Sequence, residues 1–278
     1  MFTVVHPQNS QTLWAPVKVS ETIYTGSIIG VDTAAPTAGV IPFPVAAGAA
    51  NVTNLDVPWG VVIGNNNVTG NVVYNSTYKT EYITAGNEAS AYGTTTQFQG
   101  AEGPMAGMEF AMVQYIPITA ETVLRGPIFN AAYGTAPTVL TVTTGSGADG
   151  LDFVSNANES TTVANFATMY CRTGANMGQY RIVQNASSTS FQNTPAFKAA
   201  IAVGDTFVVV NGLRPYGMIR AYIDSEGMYI DNNAELTANY LLIDVVRLDL
   251  SEAGNEYVEF RFNPVNFMPT VRADTDTT

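Results

Sequence analysis

The clearest alternation of apolar and polar positions lies near the end of the chain. Within the segment EYVEFRFNP (256–264), three apolar side chains alternate with two charged ones; these are Val258, Glu259, Phe260, Arg261 and Phe262. A period of two residues is typical of a strand that is buried on one face. Because the apolar run 240–250 precedes it across the turn SEAGN, we expect a β-hairpin whose polar face pairs opposite charges.

Shorter β patterns occupy the first half of the chain. Residues 17–30 contain β-branched and aromatic residues and end in glycine, which predicts two paired strands with a tight connection. Two apolar runs, 61–63 and 72–74, are separated by a glycine and an asparagine-rich segment, which predicts a hairpin over 58–75. Residues 108–118 predict a further strand, and residues 121–134 predict a strand broken at Gly126-Pro127.

Two stretches of the first half depart from this pattern. The segment 40–50 contains Pro42 and Pro44, which lack the N–H donors that a central strand needs, so it predicts an edge strand or a covering loop. Residues 85–107 are rich in Gly, Ala, Thr and Gln and show no periodicity. They predict a long loop or arm that becomes ordered against a neighbour.

The middle of the chain predicts a β unit of its own. Four short apolar runs follow one another at fairly regular spacing, the pattern of a sandwich or barrel; they are 138–144, 167–173, 179–185 and 205–212. The one predicted helix is short. Thr194 can cap it, Pro195 fits its first position, and AFKAAI continues it for about two turns until Val203-Gly204.

These patterns predict a mainly β protein with very little helix. We divide it into an N-terminal arm (1–20), a β domain formed by 21–135 and 213–278, and an inserted β-sandwich-like domain (136–212). A chain of 278 residues is long enough for one large domain or two smaller ones.

Composition narrows the class of protein. Charged residues make up 12% of the chain, about half the usual share, so the surface is built largely from neutral polar residues. Such a surface suits a protein that lies against a partner, because few charges are desolvated when the interface forms. The net charge of -12 and the presence of only three lysines argue against a nucleic-acid partner.

Candidate chemistry is sparse. Cys171 and His6 are the only cysteine and histidine, which excludes an internal disulfide and leaves no Cys/His zinc site. We expect Cys171 to be a core residue. No nucleophile elbow, Walker loop or dinucleotide fingerprint occurs. We therefore predict no catalytic, cofactor-binding or metal-binding residue, and no enzyme.

Two features come closest to a binding site. The carboxylates of 224–235, namely Asp224, Glu226, Asp231 and Glu235, are spaced loosely like a calcium loop, but the glycine falls at the wrong position, so a solvated turn is favoured. Trp14 and Trp59 could stack on sugars, but both lie beside prolines, which favours anchoring of a chain crossing.

The N-terminus has no basic segment followed by an apolar one, and no run of about 18 apolar residues occurs. We expect a protein that is made in a cytoplasm and has no membrane partner.

One segment resembles the head-decoration proteins of tailed bacteriophages. It spans 21–67, with Gly26-Ser27-Ile28-Ile29, then the Ala/Pro/Gly stretch 40–50, then Gly60-Val61-Val62-Ile63-Gly64. A second segment, GANMGQYRIV…DTFVVV (174–210), is similar to β modules of phage tail and capsid accessory proteins.

The resemblance implies a virion protein without catalytic residues. Its β-barrel or tulip-like domain would bind the capsid surface, form homo-oligomers, with a trimer favoured, and bridge major capsid protein subunits after assembly in the host cytoplasm. Simple decoration proteins are shorter, which implies that the unit 136–212 is an outward-facing insert.

The candidate partner-contact arm is the apolar part of residues 1–20, namely Phe2, Val4, Val5, Leu13 and Trp14. The alternative is an ordinary first strand packed on its own core. Two other functions stay open. A tail fibre or receptor-binding protein would expose aromatics such as Tyr133, Phe153 and Tyr180, and a carbohydrate-active enzyme would pair carboxylates that leave no spacing signature.

Overall fold

The computed structural model shows a mainly β protein, as predicted. It describes residues 1–7, 10–18, 21–31, 39–43, 57–65, 72–76, 79–84, 111–129, 138–144, 147, 150–153, 167–186, 190–210, 213–216, 218–224, 228–231 and 241–267. Helical geometry in these residues is limited to short 3-10 turns such as Pro264–Phe267. The predicted loop 85–107 lies outside them.

The chain folds into two compact units. The first consists of 1–126, 223–229 and 261–278, and the second of 127–222 and 230–260. The second unit is therefore larger than the predicted insert 136–212, and it takes in most of the C-terminal hairpin.

The first unit is built from nine strands and the start of a tenth: β1 (Thr3–Val4), β2 (Leu13–Pro16), β3 (Thr22–Tyr24), β4 (Ile28–Val31), β5 (Val40–Pro42), β6 (Pro58–Asn65), β7 (Val72–Asn75), β8 (Thr80–Thr84), β9 (Met112–Pro117) and β10 (Leu124–Phe129). Five of them form one sheet in the order β2-β9-β6-β4-β5, and three form a second sheet in the order β3-β8-β7. Strand β5 lies at an edge, as its prolines predicted.

The five-stranded sheet curls until its two edges touch. Val17, which follows β2, forms a parallel bridge with Val40 of β5, and the N–H of Lys18 donates to the Val40 carbonyl over 3.0 Å. The curled sheet encloses a core to which the three-stranded sheet adds Ile23 and Ile83. The first unit thus contains a barrel-like sheet closed at one point.

Two predicted pairings in this unit are wrong. The run 72–74 does not pair with 61–63, because β7 pairs antiparallel with β8 while β6 lies between β4 and β9. The strands predicted within 17–30 form, but β3 pairs with β8 and β4 with β5 and β6. In both cases a strand next in sequence lies in a different sheet.

The second unit contains a closed antiparallel barrel where a sandwich-like domain was expected. Its strands are β11 (Thr138–Thr144), β12 (Gly150–Phe153), β13 (Thr168–Cys171), β14 (Tyr180–Ala186), β15 (Ser190–Thr194) and β16 (Thr206–Val210). They pair in the order β11-β12-β15-β14-β13-β16, and β16 returns to β11 over four residue pairs. Each of the four predicted runs overlaps one of these strands.

The predicted helix after Thr194 does not form. Its backbone groups instead bind side chains: Arg181 Nε donates to the Ala196 carbonyl over 3.0 Å, and Asn176 bonds both the N–H and the carbonyl of Ala199. The segment therefore crosses the barrel and places Phe197 and Ile201 in its core.

The remaining strands are β17 (Met218–Asp224), β18 (Tyr229–Asp231), β19 (Leu241–Asp249) and β20 (Tyr257–Phe262). Strands β19 and β20 are neighbours in one sheet, which confirms the predicted hairpin. Residues of β20 on its apolar face are buried, but Glu259 of the expected charged face is also buried. Strand β10 runs through Gly126 and Pro127 without the predicted break.

The outer wall of the barrel is covered within the second unit. Strand β13 is buried along its whole length, and so are Val208 and Val210 of β16. The hydroxyl of Tyr180 donates to the Leu248 carbonyl over 2.8 Å, and Arg172 Nε donates to the Leu250 carbonyl over 2.9 Å. The chain around 248–256 thus packs on the barrel, which explains why both faces of these strands are apolar.

Candidate functional site

The first residues of the predicted contact arm pack on their own unit. The Phe2 side chain is 1% exposed, and its N–H donates to the Gly26 carbonyl over 2.7 Å. Its ring lies so close to Gly126 that a Cβ there would be 2.1 Å from Cε1. Val4 pairs with β10, and both Val4 and Val5 are half-buried. These three residues hold the chain start in place.

The α-amino group of Met1 takes part in the same docking. It donates to the Met228 carbonyl over 3.2 Å, and burial lowers the pKa of this amine to about 5. The buried location thus favours its neutral form.

The other two arm residues are exposed. Leu13 is 41% exposed and Trp14 is 50% exposed, both on β2 at the edge of the five-stranded sheet. Register pairs Trp14 with Gln114 of β9, whose amide donates to the Thr12 hydroxyl over 3.3 Å. Two exposed apolar side chains therefore lie on an ordered edge strand, one on each face of the sheet because consecutive strand residues alternate faces; we call Leu13 and Trp14 the edge pair.

Pro16 limits what this edge can bind. The N–H of Val17 donates toward β9, to the Ala111 carbonyl, whereas the N–H of Lys18 donates toward β5. Because backbone groups alternate along a strand, Pro16 faces the same side as Lys18, and it carries no N–H. A partner can contact the side chains of the edge pair, but a partner strand that pairs with this edge has no N–H donor to bond at Pro16.

A second exposed aromatic lies on a central strand of the same sheet. Trp59 of β6 is 44% exposed, while Tyr115 of β9 is 5% exposed. The two rings stack with centroids 5.9 Å apart and an interplanar angle of 18°. The neighbouring prolines had suggested that both tryptophans anchor chain crossings. Both side chains are instead about half exposed.

The end of the barrel presents two further apolar side chains. Met177 and Val203 are exposed at the tips of two turns. These turns are tied together, because Asn176 bonds Ala199 and the Thr206 N–H donates to the Thr173 hydroxyl over 2.8 Å. Sequence patterns gave no signal for this tip, since Met177 stands alone between Asn176 and Gly178 and Val203 continues the apolar pair Ile201-Ala202.

The reactive groups of the barrel serve its structure. Cys171 is fully buried, as predicted, and its thiol donates to the Thr173 carbonyl over 3.0 Å. Burial, with a smaller effect from Asp205, raises the pKa of this thiol to about 11, so it is not a thiolate at neutral pH. Arg172 forms a buried ion pair with Glu256.

Of the aromatics expected to face a ligand, only one side chain can be placed. Burial raises the pKa of Tyr180 to about 12, and its hydroxyl is bound to the backbone at Leu248 and Leu250. Tyr133 lies outside the described residues, as does the side chain of Phe153.

The loose carboxylate cluster falls at the limit of what the structure describes. Asp224 and Asp231 end β17 and β18, but their side chains, Glu226 and Glu235 lie outside the described residues. Among the side chains that are described, no group of three or more His, Cys, Asp or Glu is placed to hold a metal ion. No helix in the described part of the chain is both long and apolar enough to cross a membrane.

No protein-family model, no curated protein and no solved structure matches this chain.

Proposed function

We propose that this chain is a structural protein of a bacteriophage particle that decorates the capsid and stabilises it by bridging major capsid protein subunits. The observation that carries the proposal is the edge pair. Leu13 and Trp14, two residues of the predicted contact arm, are exposed on an ordered strand of the unit that carries the decoration-protein resemblance.

The rest of the chain is consistent with a role in assembly. Its charged share of 12% keeps the desolvation cost of a large interface low. Cys171 is buried and Tyr180 is bound to backbone, so the reactive side chains of the described barrel maintain its fold.

Energetics favour attachment through several copies at once. A partner that covers both faces of this edge buries the exposed parts of Leu13 and Trp14, which contributes roughly 2 kcal/mol per copy and alone gives weak binding. A homo-oligomer, for which we favour a trimer, presents several edge pairs and gains avidity from their effective concentration. Binding only to the assembled lattice then stabilises the capsid by mass action.

Particles that lack the protein provide the direct test. Wild-type chain added to such particles should co-sediment with them, and an antibody to the chain should label the head in electron micrographs. We expect Trp14→Ser to weaken co-sedimentation about tenfold, equivalent to about 1.4 kcal/mol, without lowering the thermal midpoint of the free protein.

Tyr216→Ser is the matched control. Tyr216 is an aromatic residue of the second unit, 89% exposed, and its substitution should leave co-sedimentation unchanged. Failure of the wild-type chain to bind heads, or equal weakening by both substitutions, would refute the proposal.

The second candidate is a tail accessory or receptor-binding protein. Exposed Trp59, stacked on Tyr115, favours it, since aromatic side chains held at a surface are typical of recognition sites. Antibody labels confined to the tail tip would support this function over capsid decoration.

A further inference from the structure

We propose that the exposed face of Trp59 is a stacking platform for a neutral pyranose ring, and that the protein therefore binds a neutral oligosaccharide. This inference does not depend on attachment to a capsid. It follows from the way in which β6 and β9 hold the indole and from the charge of the chain.

The backbone of Trp59 is bonded on the β9 side, and on the β4 side it lies at a register shift between the pairs Ile29–Gly60 and Gly30–Pro58. Strand β6 lies between β4 and β9, and the Trp59 carbonyl accepts the N–H of Ile118 over 2.9 Å. The next residue, Gly60, pairs with Pro117 of β9 and with Ile29 of β4. Trp59 thus projects from a central strand and not from a loop.

The Trp59 ring packs against the ring of Tyr115. Tyr115 lies directly against Gly60, because a Cβ at that position would be 2.2 Å from the ring atom Cδ2. The Trp59 indole stacks on this tyrosine at 5.9 Å and 18°. Tyr115 is buried, while 44% of Trp59 remains exposed. The indole therefore packs in an offset stack against a buried ring, and 44% of the Trp59 side chain is accessible to a ligand.

An exposed, immobilised indole suits a sugar ring. A pyranose with equatorial hydroxyls presents a flat face of C–H groups that packs on an aromatic plane, while its hydroxyls stay at the rim. Little conformational entropy is lost on the protein side, because the indole is already ordered. The indole N–H adds one hydrogen-bond donor.

Charge selects the class of sugar. At a net charge of -12, the overall field of the chain disfavours the approach of uronic, sialic and sulfated sugars. A neutral glycan with equatorial hydroxyls, such as a β-linked glucose or N-acetylglucosamine oligomer, avoids that repulsion.

The two tryptophans of the chain allow a residue-specific test. Two indole N–H signals are expected in a proton–nitrogen correlation spectrum, and the variants Trp14→Phe and Trp59→Phe assign them. We expect chitotriose or cellotriose to shift the Trp59 signal saturably and to leave the Trp14 signal in place. Trigalacturonic acid should shift neither signal.

Substitution then separates binding from folding. Trp59→Ser should weaken the neutral oligosaccharide by at least about tenfold, measured by calorimetry, while Trp14→Ser leaves its affinity unchanged. The Trp14 indole signal of Trp59→Ser, compared with that of the wild type, shows whether the sheet is intact.

Three results would overturn the proposal. They are the absence of any Trp59 shift with both neutral trisaccharides, an equal shift with the acidic one, and unchanged affinity in a folded Trp59→Ser. If instead Trp59→Ser weakens co-sedimentation with capsids and no sugar shifts the signal, the surface is a protein contact. If the wild-type chain fails to bind capsids but a neutral trisaccharide shifts the Trp59 signal saturably, capsid decoration is refuted and sugar binding stands.

Discussion

The two curled sheets of this protein close in different ways. The barrel of the second unit closes through continuous pairing, with four residue pairs joining β16 to β11. The five-stranded sheet of the first unit closes at the Val17–Val40 bridge. The first sheet exposes Leu13, Trp14, Trp59 and Ile63, whereas on the barrel two strands are buried on both faces.

Under the proposed function, this difference corresponds to a division of roles. A fully paired barrel with a covered wall is a rigid scaffold that offers turn tips such as Met177 and Val203. The curled sheet keeps apolar side chains in solvent at a cost that a binding surface offsets when its partner arrives. We therefore expect substitutions in the barrel to change stability and substitutions of exposed residues on the curled sheet to change binding.

The largest effect should come from the barrel core. Phe207 is fully buried, and its ring packs on Phe197 at 5.5 Å. Phe207→Ala should lower the free energy of unfolding by about 4 kcal/mol, because it removes transfer energy and leaves a cavity. Urea denaturation measures the loss.

Val139→Ala provides the control for that substitution. Val139 lies on β11 and is 43% exposed, so its truncation should cost less than about 1 kcal/mol. Equal losses in the two variants would show that the barrel interior does not carry the stability we assign to it.

A somewhat smaller effect should follow from opening the curled sheet. Gly39 has a φ of 113°, and a Cβ there would lie 2.7 Å from the Pro16 carbonyl oxygen. Gly39→Ala should therefore cost about 3 kcal/mol, from backbone strain and from separation of Val17 and Val40. Thermal and urea unfolding both report it.

Gly254→Ala isolates the strain from the contact. Gly254 has a φ of 78°, but nothing lies within 4 Å of its added Cβ, so only about 1 kcal/mol of strain is expected. If Gly39→Ala is no worse than Gly254→Ala, the bridge does not hold the sheet closed.

The smallest effect concerns pH. The Met1 amine has a folded pKa of about 5 against 8.0 in an unfolded chain, so the folded state binds fewer protons between these values. Stability should rise with pH across that window, by about 1 kcal/mol in total after allowance for solvent screening at a residue that is 46% exposed, and level off above it. Acetylation of the amine should abolish this contribution in urea titrations, whereas an unchanged slope would contradict a buried amine.

Local patterns predicted many of the strands but not their partners. The runs around β11, β13, β14 and β16 and the β19–β20 hairpin follow from alternation and turn residues. The pairing of β7 with β8 could not be predicted, because it depends on which sheet each strand joins. The segment after Thr194 has a helical sequence, but Asn176 and Arg181 form hydrogen bonds with its backbone groups in place of helical ones.

The candidate site was less predictable than the fold. Apolar character marked Phe2 and Trp14 equally, yet Phe2 is buried against Gly126 and Trp14 is half-exposed. The prolines beside Trp59 suggested that it anchors a chain crossing, whereas its indole is 44% exposed and stacks on Tyr115. Such outcomes depend on residues distant in sequence, which no local pattern contains.

Pro16, at the end of β2, affects how copies of the chain interact when they lie close together. Proteins with exposed edge strands tend to form fibres at high local concentration, because the edge strands of neighbouring copies pair through continuous backbone hydrogen bonds. Pro16 interrupts the donor row beside Leu13 and Trp14, so a neighbouring copy cannot extend the sheet past that point. Copies of the chain can therefore make apolar contacts through Leu13 and Trp14 without adding strands to one another's sheets and growing into fibres.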